Sequence, residues 1–299
     1  MSGTTELAAR IGRQAGAPPD HGTWSSDPYT HALRTGRGPL FLRRTDGWLL
    51  QLEVERWCAE ADAADLEVLR RCEGPVLDVG CGPGRLIAAL NRQNEARYGS
   101  APSLRGAGLR RSAAAPRGAT GHDGAADDGR PLPALGIDVS EAAVSHTVAR
   151  GGNALHRSVF EPLPAEGHWG TALLIDGNIG IGGDPRALLA RMSQLLTPGG
   201  LLIVETVPDP DVDERVRVHV TDARGAAGPP FPWARLGTSA LLRHANRWRA
   251  VDQWTAGGRC FVALRSRSRN STAEPPKSTA VSSSQRDRKR SADRPVADA

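Results

Sequence analysis

The segment Val76-Leu77-Asp78-Val79-Gly80-Cys81-Gly82-Pro83-Gly84-Arg85-Leu86 constrains the fold more than any other part of the chain. Its first four residues read as a short buried strand. Glycines at three alternate positions then make a tight turn, and residues 85–90 begin a helix. Glycine adopts positive φ cheaply and lets a ligand approach the backbone with no Cβ in the way. The helix start behind it offers unpaired N–H groups to a carboxylate or phosphate. A strand, a glycine turn and a helix in this order place a ligand at the carboxyl end of a strand in an open α/β sheet.

The rest of the chain keeps that rhythm. Residues 134–139 read as a second strand, followed by a helix capped at Ser140-Glu141. Residues 155–160 suit a third strand and 171–176 a fourth. A helix over 185–196 closes at Thr197-Pro198-Gly199-Gly200, and 201–205 form a fifth strand. Short apolar strands alternating with helices predict a parallel sheet covered on both faces, with right-handed crossovers. Residues 248–254 and 260–265, separated by Gly257-Gly258, read as a hairpin. Upstream, residues 62–72 read as a helix with Leu66 and Leu69 on one face. The stretch from Trp48 to Trp57 fits helical and strand spacing equally.

Two segments break the rhythm. In residues 91–134, Gly, Ala, Pro and Ser fill 24 of 44 positions, too few large apolar side chains to offset ordering entropy. A flexible insertion is expected at about 96–133, and the Ser/Arg/Pro-rich stretch 266–299 is expected to be a disordered basic tail. That tail holds eight basic and four acidic residues, so it carries +4 of the net +5. The near-neutral body leaves no electrostatic footprint for nucleic acid. Of the 38 basic residues, 36 are arginine, which reads as the base composition of a GC-rich bacterial genome. The remaining divisions are a flexible N-terminus at 1–26, an N-terminal cap or helical segment at 27–75, and a main domain at 76–265.

No run of about 18 apolar residues predicts a membrane span. The first residues lack the apolar core of a secretory signal. The four cysteines, Cys58, Cys72, Cys81 and Cys260, form no C-x-x-C pair, so neither a disulfide framework nor a metal site is expected. A reducing cytoplasm is the expected location.

The glycine pattern narrows the ligand. The dinucleotide fingerprint needs a third glycine at position 85, where this chain has Arg85, and no Gly-Lys-Ser/Thr completes a phosphate loop. The segment from Val76 to Leu86 closely resembles motif I of the class I S-adenosylmethionine-dependent methyltransferases. Gly136-Ile137-Asp138-Val139-Ser140 resembles that family's second motif, and Thr197-Pro198-Gly199-Gly200 its turn before strand five. The resemblance spans about 76–265. It implies a Rossmann-like, doubly wound, mostly parallel seven-stranded sheet with an antiparallel last strand, and S-adenosyl-L-methionine as cofactor. One spacing departs: Asp78 and Asp138 are 60 residues apart, where about twenty is usual, and the insertion accounts for the excess.

The resemblance also implies site residues. Asp78, Gly80, Cys81, Gly82 and Gly84 form the cofactor loop. Asp138, with Val139, is expected at the ribose hydroxyls, since a carboxylate can accept from a vicinal diol. Val159 and Phe160 fall where adenine is cradled, with Glu161 displaced from the family's usual acidic position. Asp176 ends strand four near the transferring methyl group. Tyr29, Asn178 and Trp233 are expected near the acceptor, because segments before strand one and after strand five cap the family's acceptor pocket. The run 176–184, with four glycines in seven positions, implies a close backbone approach, expected to be to the cofactor and acceptor, with a neighbouring loop as the other reading. No catalytic base is assigned to His146, His168, His219 or His244.

The expected function is methyl transfer to a small molecule by in-line displacement. Two other readings stand beside it. One is an NAD(P)-dependent Rossmann oxidoreductase, which Arg85 argues against. The other is a nucleic-acid methyltransferase or binding module recruited by the basic tail, which the near-neutral body argues against.

Overall fold

The computed structural model describes residues 27–98 and 133–266. The expected flexible N-terminus, almost all of the expected insertion and all of the expected basic tail but Ser266 lie outside the described residues.

A cap comes first: α1 (Asp27–Thr35), β1 (Leu40–Arg44), β2 (Leu49–Leu52), α2 (Val54–Cys58) and α3 (Ala63–Leu69). The expected helical segment therefore also contains a strand pair, and the ambiguous stretch after Trp48 divides into β2 and α2. Then follow β3 (Val76–Val79), α4 (Arg85–Tyr98), β4 (Ala134–Asp138), α5 (Glu141–Ala149), β5 (Ala154–His156) and β6 (Trp169–Leu174). A single 3-10 turn (Asn178–Gly180) leads to α6 (Pro185–Leu195) and β7 (Leu196–Thr206). The chain continues through β8 (Asp213–Asp222), β9 (Phe231–Leu236), α7 (Thr238–His244), β10 (Trp248–Ala256) and β11 (Arg259–Ser266).

The larger sheet has seven strands in the order β10-β11-β7-β6-β3-β4-β5. The strands from β3 to β7 run parallel, and β11 pairs antiparallel with both β7 and β10. Every residue of β3 is buried, as a central strand covered on both faces requires. One face packs Ile87 and Leu90 of α4 with Val68 of α3 and Phe261 of β11. The other packs Leu188 and Met192 of α6 with Leu241 of α7 and Trp248 of β10. Strand order reverses between β3 and β6, which opens a crevice at the carboxyl ends of these strands.

Helix starts carry local sequence signals. Ser140 Oγ accepts from Ala143 N at 3.3 Å to cap α5. Asp184 caps α6 with Pro185 in its first turn. Asp62 and Asp65 form a reciprocal capping box on α3.

The smaller sheet is antiparallel, in the order β2-β1-β8-β9. It draws two strands from before the larger sheet and two from after β7. Residues 231–235, expected as a segment outside the core, are thus most of a strand. Leu40, Leu42, Val218, Val220, Phe231 and Trp233 pack with Tyr29 and Leu33 of α1 in a third apolar cluster. The third strand of the larger sheet is shorter than expected: it stops at His156, and Ser158 to Phe160 lie in the turn beyond it.

Candidate functional site

One cavity of about 460 Å³ lies between the carboxyl ends of the parallel strands and the smaller sheet. Its floor is the glycine turn. Gly80, Gly82 and Gly84 take φ of 71°, 53° and 81°, a region that favours glycine. Their tasks differ. Nothing lies within 4 Å of a Cβ placed on Gly82, so that side is open to a ligand. A Cβ on Gly84 would sit 2.5 Å from Thr147 Oγ1, so Gly84 serves the packing of α4 on α5. Gly84 and Asp78 do not line the cavity; Gly80, Cys81 and Gly82 do. Cys81 lends its backbone, while its Sγ turns inward to within 3.8 Å of Thr147 Oγ1. Burial raises its thiol pKa.

Asp138 fastens the turn from the next strand. Its Oδ2 accepts from Gly82 N at 2.9 Å and its Oδ1 from Ser140 N at 2.8 Å. Burial raises its pKa while those two N–H groups oppose the rise. Asp78 is buried behind the turn, and its Oδ2 has no hydrogen-bond partner among the described residues. Burial pushes Asp78 up to about 7, with Arg85 opposing.

The end of β6 is held differently. Asp176 and Gly177 take successive positive φ of 58° and 81°. Asp176 Oδ2 receives Arg85 Nη1 at 2.7 Å, and its Oδ1 receives Arg56 Nη2 at 2.7 Å and Arg259 Nη2 at 3.4 Å. Its amide donates to Glu205 Oε2 at 2.8 Å. Arg85 also grips Asp65 at 2.8 Å, and Arg259 bridges Asp65 and Glu205 at 2.8 and 2.7 Å. Burial favours the neutral form of both Asp176 and Asp65. The guanidiniums overcome it, holding Asp176 below the usual carboxylate range and Asp65 at about 2. The turn that follows sends Asn178 Nδ2 onto Val79 O at 2.8 Å and Gly80 O at 3.0 Å.

Walls and roof are largely apolar, with Arg157, Arg217 and Arg235 also in the lining. Phe160 lies against Gly182, where a Cβ would stand 2.8 Å from its ring. Tyr29 meets Trp57 edge-on at 6.5 Å, and burial raises its hydroxyl pKa well above the ordinary value. Leu42, Leu50, Phe231 and Trp233 complete the roof. Glu161, read as the displaced acidic residue, folds back so that its Oε2 accepts from Ser158 N at 2.8 Å.

The cavity therefore brings together eleven of the thirteen residues expected at the site: all but Asp78 and Gly84. Sequence reasoning missed the arginine–carboxylate cluster. Arg85 was visible only as the missing third glycine, and the general arginine excess concealed Arg56 and Arg259. No histidine lines the cavity among the described residues, and none of their acidic, cysteine or histidine groups form a metal-binding cluster. No described helix is long and apolar enough to cross a membrane.

A doubly wound sheet with a glycine turn at its switch point and a carboxylate at the end of the next strand has the layout of α/β enzymes that bind a nucleoside cofactor. A methyltransferase-domain family model matches residues 54–255. The chain belongs to that family, and it is an S-adenosylmethionine-dependent methyltransferase. No curated protein matches it. Among solved structures it is similar to a methyltransferase from Bacteroides fragilis in complex with S-adenosylhomocysteine. That match has 16% identity and a TM-score of 0.59, covering 84% of this chain and 98% of the other. The 1,6-didemethyltoxoflavin-N1-methyltransferase of Burkholderia thailandensis matches at 16% identity and a TM-score of 0.41, covering 68% and 76%.

The residues present suit the cofactor. An open cradle lies over Gly82, and the two Asp138 oxygens each keep lone pairs beyond their single backbone bond.

Proposed function

We propose that the chain methylates a small, largely apolar acceptor seated between the glycine turn and the four-stranded roof. The observation that carries this reading is the composition of the cavity. Tyr29, Leu42, Trp57, Phe231 and Trp233 line it, its carboxylates are already engaged, and its wall and roof arginines Arg157, Arg217 and Arg235 bond to Pro162 O, Pro230 O and Glu214. S-adenosylmethionine supplies an electrophilic methyl group for in-line displacement. Asp138 would hold the ribose hydroxyls, Val159 and Phe160 the adenine, and Gly80 to Gly82 the methionine portion. The roof would exclude water and orient the acceptor, the contribution on which such transfers depend most.

Proton removal by the enzyme is not required in this reading. Asp138 is bound by two backbone amides, Asp176 by arginines, and Glu205 by Arg259. An acceptor atom with a lone pair available at neutral pH fits this arrangement, because a general base is needed only when the acceptor is protonated. A near-neutral body and a largely apolar cavity favour a small molecule over nucleic acid.

The test is S-adenosylhomocysteine release with fractionated cell extract. Turnover should follow the low-molecular-weight, solvent-extractable fraction. Turnover confined to retained protein or nucleic acid would overturn the small-molecule reading.

A further inference from the structure

We infer that Arg56, on the cap helix α2, is a positioning residue for the cofactor turn, acting through Asp176 and Asn178. The inference rests on the glycine turn being the cofactor seat. The chain of contacts is continuous. Arg56 Nη2 meets Asp176 Oδ1 at 2.7 Å. Asp176 and Gly177 then adopt left-handed φ, and for aspartate that conformation persists only where its surroundings enforce it. Asn178 is thereby aimed back across the crevice and donates to the carbonyls of Val79 and Gly80. The fit is close: a Cβ on Gly80 would lie 2.6 Å from Asn178 Nδ2.

The turn that receives the cofactor is therefore latched by a side chain from the 3-10 turn after β6, and the latch is set by a guanidinium from the cap. The cap also supplies Leu42, Leu50 and Trp57 to the cavity. Arg56 thus joins the acceptor wall to the cofactor floor. It is also the member of the cluster that can be removed with least damage. Arg85 and Arg259 each bind Asp65 as well as Asp176, and their side chains are 4% and 12% exposed. Arg56 is 26% exposed and ion-pairs with Asp176 alone among the described residues.

The test is calorimetric affinity for S-adenosylhomocysteine in the full chain and three variants. Arg56→Met should weaken binding about tenfold, the scale of coupling inside one ion-pair network. Arg56→Lys, which restores the cation, should recover most of that loss. Asn178→Ala, which leaves the cluster intact and cuts the latch, should weaken binding comparably. Rescue by lysine is a result that loss of packing would not give. Wild-type affinity in Arg56→Met, or no recovery in Arg56→Lys, overturns the proposal. Should Arg56→Met fail to fold, Asn178→Ala decides: wild-type affinity there overturns it equally. A wild-type chain that does not bind S-adenosylhomocysteine would count against the site assignment itself, a separate failure.

Discussion

Single side chains here carry tasks that their residue types alone would not reveal. Asp138 ties the glycine turn to the start of α5 by accepting from Gly82 N and Ser140 N. Alanine at this position removes both acceptors; asparagine keeps one carbonyl. Affinity for S-adenosylhomocysteine should therefore fall in the order wild type, Asp138→Asn, Asp138→Ala. The alanine variant should lose about 1.5–3 kcal/mol, the worth of a hydrogen bond to a charged group. The pH dependence has a definite sign. Burial raises the Asp138 pKa, so the accepting carboxylate is lost as pH falls through a value above the ordinary carboxylate range. Asp138→Asn cannot titrate and should shrink that acid limb. Calorimetry from pH 5 to 8 measures both effects, and equal affinity of all three forms would remove Asp138 from the site.

At the scale of elements, the roof is anchored where the 3-10 turn meets β9. Gly180 allows that approach: a Cβ there would stand 2.3 Å from Ala234 O and 2.5 Å from the Trp233 ring. The contact continues as a bridge between Ile181 and Trp233. The glycine-rich run after β6, expected to approach a ligand, at Gly180 and Gly183 instead approaches the neighbouring strand β9. Gly180→Ala should destabilise the fold by about 1–3 kcal/mol, as overpacking does. Urea denaturation would report the loss. Unchanged stability would mean that β9 moves aside at no cost. The central strands β3, β4 and β6 were legible beforehand because each is short, apolar and buried. The roof strands were not. β8 alternates exposed and buried residues over only part of its length, and Pro232 interrupts the pattern of β9.

Across the whole molecule, the two edges of the larger sheet do different work. The cavity occupies the carboxyl edge. At the opposite edge Pro133 O accepts from Val76 N at 2.8 Å, where β4 begins. Pro133, which leads into β4, therefore lies at the edge away from the glycine turn. Replacing residues 99–130 with a short Gly/Ser linker should leave S-adenosylhomocysteine affinity unchanged, because surface loop length costs little closure entropy. Loss of binding with an unaltered circular-dichroism spectrum would show that this segment reaches the cofactor site.

The sequence by itself determined the parallel sheet, the glycine turn, Asp138 at the end of the next strand and the antiparallel final hairpin. These depend on interactions between near neighbours: strand periodicity, positive φ and helix capping. Tertiary structure alone decided the roof and the arginine cluster. Arg56, Asp65, Arg85, Asp176, Glu205 and Arg259 span some two hundred residues of chain and carry no spacing that could link them. Their meaning comes from burial together, where a guanidinium stabilises a carboxylate that would otherwise be driven neutral.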